Sequence, residues 1–124
     1  MNRKERVERR KHKRYEVHND TLVILRSSNT RIGSITDVSP GGLGFRYIGS
    51  EKSIGESAQL SILPAQNLFY LYHTPCKYVW DSKASKDHYS SITMRRCGVQ
   101  FGELTPEQIR LVEYFIKNYT IEAA

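Results

Sequence analysis

The sequence predicts an all-β domain, a small antiparallel barrel or sandwich, followed by one C-terminal helix. From residue 21 onward, short runs of β-branched or aromatic residues alternate with clusters of Gly, Ser, Asn and Asp. That alternation is typical of antiparallel strands joined by tight turns. At Thr105 the apolar residues change from the spacing of strands to that of a helix. A chain of 124 residues has room for one domain and one core.

The strand pattern occurs in six segments, residues 21–26, 31–38, 43–48, 57–63, 69–80 and 89–102. The second hairpin turn, Ser39-Pro40-Gly41-Gly42, has Pro and Gly at the positions that suit a type II turn. A simple register for the last hairpin would place Cys76 across from Cys97. Both thiols are expected to be free, because the cytoplasm is reducing, and no function is assigned to them.

The C-terminal helix is predicted over about residues 105–119. Thr105 supplies an N-cap hydroxyl, Pro106 suits the first helical position, and Gln108 stands at the capping-box position. Its apolar face should cover the barrel rather than form a dimer seam, since a domain this small has little other core. The face comprises Ile109, Val112, Phe115, Ile116 and Tyr119.

Positive charge is concentrated at the N-terminus. Residues 1–14, the basic arm, hold eight of the nineteen Lys and Arg residues but only two of the thirteen acids. The arm therefore accounts for the whole net charge of +6, and residues 15–124, the single predicted domain, are balanced. Such a concentration indicates an anionic ligand or partner. No apolar run follows these charges and no stretch approaches about twenty apolar residues, so we expect no signal peptide, no membrane contact and a cytoplasmic location.

The sequence does not indicate an enzyme. Its two cysteines and four histidines are scattered, without the spacing of a zinc site. The glycines at 41, 42 and 44 lie in a hairpin rather than between a strand and a helix, so they do not form the phosphate loop of nucleotide hydrolases. No nucleophile, base and orienting acid can be placed together from spacing. We expect binding without turnover, with no catalytic residue, metal or cofactor.

Two short motifs carry the functional prediction. Arg10 and Arg14 form an RxxxR motif in the arm, and Asp37, Ser39 and Gly42 form a (D/N)xSxxG motif at the second hairpin. In this order, before a strand-rich domain and a capped helix, the chain resembles the PilZ domain family of cyclic di-GMP receptors. All five motif positions match, and residues 97–101 are similar to the closing strand of that family.

The resemblance covers nearly the whole chain. It implies a six-stranded antiparallel β-barrel and a bacterial second-messenger receptor, with a ligand site where the arm meets the second hairpin. It also implies that a partner, expected to be a downstream protein effector, receives the signal.

The chemistry of the motif residues suits cyclic di-GMP, which offers two phosphates and two guanines. The guanidinium groups of Arg10 and Arg14 can bind phosphate or guanine edges and can stack on a base. Asp37 can accept hydrogen bonds from guanine N1 and N2, which adenine does not offer as a pair. Ser39 can donate to a phosphate or accept from a base amine, and Gly42 allows a close approach of ligand to backbone.

The arm should respond to the ligand. Because like charges crowd it, we expect a bound dianion to neutralise the arm and to order residues 8–15. Arg9, immediately before the motif, is a candidate contact for a second cyclic di-GMP molecule. These expectations make the protein a receptor or adaptor whose partner-binding surface changes with the ligand.

Two other functions are compatible with parts of the sequence. A small barrel with a basic arm, and with Tyr47, Tyr70 and Tyr72 as stacking platforms, could bind single-stranded nucleic acid. Against this, basic residues should then be interleaved with aromatics along several strands, yet only Arg95 and Arg96 form an adjacent basic pair there. Nucleic acid is therefore not the expected partner. The other alternative is a PilZ-like adaptor that binds protein alone.

Overall fold

The computed structural model describes residues 13–17, 21–49, 55–64, 71–83 and 93–123. Within them the chain forms strands that flank a single helix near the C-terminus. In chain order these elements are β1 (Tyr15–Val17), β2 (Thr21–Arg26), β3 (Thr30–Ser39), β4 (Gly42–Ile48), β5 (Ser57–Pro64), β6 (Leu71–Lys83), β7 (Met94–Phe101), α1 (Pro106–Tyr119) and β8 (Thr120–Ala123).

Six of the strands close into an antiparallel barrel. They are ordered β2-β5-β6-β7-β4-β3, and β3 pairs back onto β2 to complete the ring. This closure confirms the predicted fold and decides for a barrel over a sandwich. One edge of the long strand β3 pairs with two strands in succession, its first half with β2 and its last residues with β1, while its other edge pairs with β4. β1 in turn pairs with β8.

The core lies inside this ring. Alternating strand residues point inward, which is the burial pattern expected of strands with one solvent face. The buried aromatic residues Phe45 and Tyr78 contact each other with ring centroids 6.5 Å apart. The fully buried aliphatic residues are Val23, Leu25, Val38, Leu60, Ile62 and Leu71.

Helix α1 covers the core as the sequence predicts. Thr105 accepts from the Gln108 backbone N–H at 3.1 Å, and the Gln108 side chain accepts from the Thr105 N–H at 2.9 Å, so the predicted capping box is present. Val112 and Phe115 are buried in the barrel core, and the Tyr119 ring stacks on Phe115 at 5.2 Å. Ile109 is an exception among the five predicted face residues, since 45% of it is exposed.

The barrel interior also contains a charged cluster. The Asp81 side chain is fully buried and accepts from Arg95 Nε at 2.7 Å and from the Tyr47 hydroxyl at 2.5 Å. The Arg31 guanidinium lies over the Tyr47 ring, 5.1 Å from its centroid. Burial, together with the hydrogen bond to Asp81, raises the pKa of Tyr47 well above its ordinary value. The phenol therefore stays protonated and serves as a donor.

The structure corrects two local predictions. Cys76 lies opposite Phe101 rather than Cys97, and Cys97 lies opposite Asp81. β6 and β7 stay paired as far as Lys83 and Arg95, beyond the predicted strand end at residue 80, and this moves their register away from the simple one, whereas the bulge at Tyr78/Trp80 changes it by only one residue. Both cysteines are free and buried, and burial raises the pKa of each thiol to about 12.

The second hairpin turn is not of type II. A type II turn needs positive φ at Gly41. Among the described residues positive φ is found at His73 and Gly55.

Candidate ligand-binding groove

An open groove of about 610 Å³ runs over the outer face of the barrel beside the start of α1. Its lining includes four of the predicted site residues, Arg14, Asp37, Ser39 and Gly42. Arg14 precedes β1 while the other three lie at the β3–β4 hairpin, so the fold brings together residues from two separate motifs. Arg9 and Arg10 lie outside the described residues.

The pairing of β1 explains how Arg14 reaches the hairpin. Tyr15 lies opposite Val38, and Glu16 lies opposite Asp37. Continuing this antiparallel register by one residue sets Arg14 beside Ser39. The side chain of Arg14 is half-buried, so it lies at the wall of the groove rather than free in solvent.

A row of outward-facing residues crosses four strands of the barrel wall. It runs from β6 through β7 and β4 to β3 as Trp80, Gly98, Gly44 and Asp37, each lying opposite the next. An indole thus stands at one end of the row, a carboxylate at the other, and two glycines lie between them. Neighbouring strands are about 4.8 Å apart, so the ends of the row are separated by about 14 Å of sheet.

The two central glycines leave room for the side chains beside them. A Cβ at Gly98 would lie 2.0 Å from Trp80 Nε1, because the indole lies directly across this position. A Cβ at Gly44 would lie 3.0 Å from Asp37 Oδ1. The glycines therefore let both end groups lean over the sheet, and we call the surface formed by Gly44 and Gly98 with these two end groups the shelf.

The hairpin turn is fixed by Ser39. Its buried hydroxyl accepts from the Gly41 N–H at 3.2 Å and donates to the Gly42 carbonyl at 3.4 Å. A Cβ at Gly42 would lie 2.1 Å from the Val99 carbonyl oxygen on β7. The motif residues Ser39 and Gly42 thus shape the turn, in addition to any contact with a ligand.

Sequence reasoning missed Trp80. A tryptophan within a strand pattern is ordinarily assigned to the core, and the bulge that turns Trp80 outward cannot be read from composition. The available signal was Gly98, since a glycine inside a strand often marks a close approach by another group. Here that group is the Trp80 indole.

The described residues hold no cluster of His, Cys, Asp or Glu that could bind a metal ion. In the same part of the chain, no helix has the length and apolar character needed to cross a membrane. The arginines that pair with Asp81 lie inside the barrel, whereas Arg14 faces the groove.

Known structures show the same fold. The PilZ domain with c-di-GMP of YcgR from Escherichia coli matches with a TM-score of 0.70 at 17% identity, covering 90% of this chain and 91% of that chain. YcgR in complex with c-di-GMP from the same organism matches with a TM-score of 0.66 at 20% identity, covering 88% of this chain and 45% of that one. The Borreliella burgdorferi PlzA protein in complex with c-di-GMP matches with a TM-score of 0.51 at 13% identity, covering 84% of this chain and 48% of that one.

The chain thus corresponds to about half of the longer structures and to nearly all of the isolated YcgR domain. No curated protein sequence matches it. The PilZ domain family matches residues 8–118, which include both motifs. The chain belongs to the PilZ domain family.

Proposed function

We propose that this protein is a receptor that binds cyclic di-GMP in the groove and carries out no reaction on it. The observation that carries the proposal is the convergence of the two motifs, since Arg14 from the arm and Asp37 from the hairpin line the same groove. Related structures that contain c-di-GMP, from Escherichia coli and Borreliella burgdorferi, support the choice of ligand.

The shelf between Trp80 and Asp37 suits a guanine base. A purine is flat, so it can stack on the Trp80 indole above Gly98 with one edge toward Asp37. Asp37 would then accept hydrogen bonds from the guanine N1 and N2 hydrogens. Among the described residues no side chain donates a hydrogen bond to the Asp37 carboxylate, which leaves its oxygens available. The Trp80 indole would contact the base by its ring face or edge.

The arm would supply the cationic side of the site. Arg14 lies at the groove wall, and Arg10 precedes it by four residues, so both guanidinium groups can reach phosphates or stack on the second guanine. Tyr15 is already paired in β1, so the expected ordering of residues 8–15 does not extend to it. In this proposal the ligand draws residues 8–14 onto the groove and so changes the surface offered to an effector. Arg9 would contact a second ligand molecule where two bind.

The structure does not favour single-stranded nucleic acid as the ligand. Tyr47, one of three predicted stacking platforms, is only 3% exposed and donates to Asp81 inside the barrel. Tyr70 and the side chain of Tyr72 lie outside what the structure describes. The adjacent pair Arg95 and Arg96 does not form one basic patch, because Arg95 points into the core while Arg96 is exposed.

Trp80 gives a direct test, because it is the sole tryptophan of the chain and lies in the groove. Titration with cyclic di-GMP should change its fluorescence saturably, whereas cyclic di-AMP and a short single-stranded oligonucleotide should not. An Asp37→Asn variant should lose at least about tenfold in affinity, since an amide cannot accept from both guanine donors as a carboxylate does.

The matched control is Glu103→Gln, an exposed acid between β7 and α1 that does not line the groove. It should bind cyclic di-GMP as the wild type does. Equal responses to the two cyclic dinucleotides, or wild-type affinity in Asp37→Asn, would count against guanine recognition by this carboxylate.

A further inference from the structure

Two exposed arginines face each other across the outer wall of the barrel. Arg46 on β4 lies directly opposite Arg96 on β7, and both are exposed. Like charges in directly opposite positions destabilise a sheet. Among the described residues no acidic side chain lies within 4.0 Å of either guanidinium, and the ion pairs seen there belong to the interior Asp81. The protein therefore keeps an unfavourable pair on its surface.

An apolar row adjoins the arginines. Ile48 lies opposite Met94 one outward position further along the same two strands, with 63% and 37% of their surfaces exposed. Gly33 pairs with Tyr47, so continuing that register by one residue sets Ile32, 60% exposed, beside Ile48. Exposed large apolar side chains are unremarkable singly, but a contiguous set marks an interaction site. We call the set formed by Arg46, Arg96, Ile32, Ile48 and Met94 the outer patch.

The outer patch adjoins the groove without being part of it. Arg46 and Arg96 are each two residues from the glycines Gly44 and Gly98 that form the shelf, on the same strands. Neither arginine lines the groove. A partner bound to the patch would thus contact β4 and β7 next to the groove, outside the surface that the ligand would occupy.

We propose that the outer patch binds an acidic amphipathic helix of a partner protein. Carboxylates at positions i and i+4 of a helix are about 6 Å apart, close to the roughly 5 Å between directly opposite residues of two strands. Each guanidinium can take one carboxylate in two parallel hydrogen bonds. Apolar residues on the same helix face would cover the isoleucines and the methionine. A single helix would thus contact both the arginines and the apolar residues of the patch. This inference does not depend on which nucleotide fills the groove.

The proposal can be tested with a synthetic helical peptide that carries Glu pairs at i, i+4 beside a leucine face. In two-dimensional NMR of the labelled full chain, the peptide should shift the amides of the five patch residues. The Arg46→Gln/Arg96→Gln variant should bind it at least about tenfold more weakly, because two charge-assisted contact sets are lost.

The control removes two exposed charges from α1 instead, as Arg110→Gln/Lys117→Gln, and should change the affinity by less than about twofold, as expected for distant charges at ordinary salt. Because the arginine pair is unfavourable in the free protein, its replacement should leave the melting temperature unchanged or raised. An unchanged or raised melting temperature would show that the weaker binding of the variant is not caused by unfolding.

The proposal is overturned if the peptide does not bind, or if both double variants lose affinity equally, because the peptide would then be held by the overall positive charge rather than by the outer patch. It is also overturned if vesicles of anionic phospholipid, but not the peptide, shift the patch amides, because the surface would then be a lipid contact. Titration of cyclic di-GMP into the Arg46→Gln/Arg96→Gln variant should give wild-type affinity, so failure of this inference is distinguishable from failure of the proposed ligand.

Discussion

Two neighbouring residues of β6 point to opposite faces of the barrel wall. Trp80 points outward over Gly98, and Asp81 points inward to Arg95 and Tyr47. Successive side chains of a strand point to opposite faces, so fixing Asp81 in the interior also fixes Trp80 on the groove. The interior cluster therefore acts as a positioning element for the exterior site, in addition to its role in stability.

Replacement of Asp81 by Ala should lower the free energy of unfolding by about 3–5 kcal/mol, because the charge of Arg95 would remain buried without its partner. Urea unfolding of the purified variant measures this change. Asp81→Asn, which keeps the side-chain shape and one acceptor, should lose less. A loss in Asp81→Ala no larger than about 0.5 kcal/mol, the range of ordinary surface substitutions, would contradict the assigned role.

The site depends on an element that the sequence did not reveal. β1 has three residues and is held on one side by β3 and on the other by β8, which follows α1 without a break. The Thr120 hydroxyl donates to the Ile116 carbonyl at the junction of helix and strand. The C-terminal strand thus helps to hold the segment that places Arg14 beside the hairpin.

Deletion of residues 120–124 should weaken cyclic di-GMP binding severalfold while the barrel remains folded, because β1 would lose one of its two neighbours. Calorimetric titration and circular dichroism measure the two effects. Thr105→Ala is the comparison, since loss of its N-cap costs about 1 kcal/mol of stability without touching β1. If both changes weaken binding equally, the effect comes from general stability rather than from β1.

The elements differ in how well the sequence predicts them. β2 has the predicted bounds, and the helix begins at its predicted cap, because both carry strong local signals in their periodicity and capping residues. β1 and β8 were missed since three or four residues are too few to show a period, and their pairing is decided by tertiary contact. The Cys76–Cys97 register was wrong because the sequence does not show that β6 stays paired with β7 as far as Lys83 and Arg95.

The residues of the candidate site also differ in how well the sequence predicts them. The motif positions Arg14, Asp37, Ser39 and Gly42 were found from sequence, and the structure brings them to one groove. Trp80 and the two shelf glycines were found only through register, because their significance depends on which strands lie side by side. The outer patch was missed for the same reason, since Arg46 and Arg96 are far apart in the sequence.

At the scale of the whole molecule, the charge distribution predicts how an anionic ligand is attracted. The barrel residues are balanced and the arm carries the net charge of +6, so a dianion should be drawn to the end of the domain where the arm begins. In the proposed mode of binding, long-range attraction by the arm is separate from short-range recognition, which we assign to Asp37 and the shelf.

Affinity for cyclic di-GMP should therefore fall as salt increases, and most steeply at low ionic strength. At about 1 M salt the screening length is only about 3 Å, so the contribution of the arm to association should be largely lost. Stopped-flow measurement of Trp80 fluorescence separates the rates, and the association rate should carry most of the change. A dissociation rate that carries all of it would place the salt-sensitive contacts inside the groove instead.

The most direct test of the account is calorimetric titration of cyclic di-GMP into the wild type, Arg14→Ala and the control Arg110→Ala. We expect saturable binding to the wild type and to the control. Arg14→Ala should lose about 2 kcal/mol or more, at least about tenfold in affinity, because a charge-assisted contact set is removed. Absence of binding heat in the wild type across a range of temperatures, or equal affinities in all three proteins, would contradict the central claim that the arm and the hairpin together hold the nucleotide.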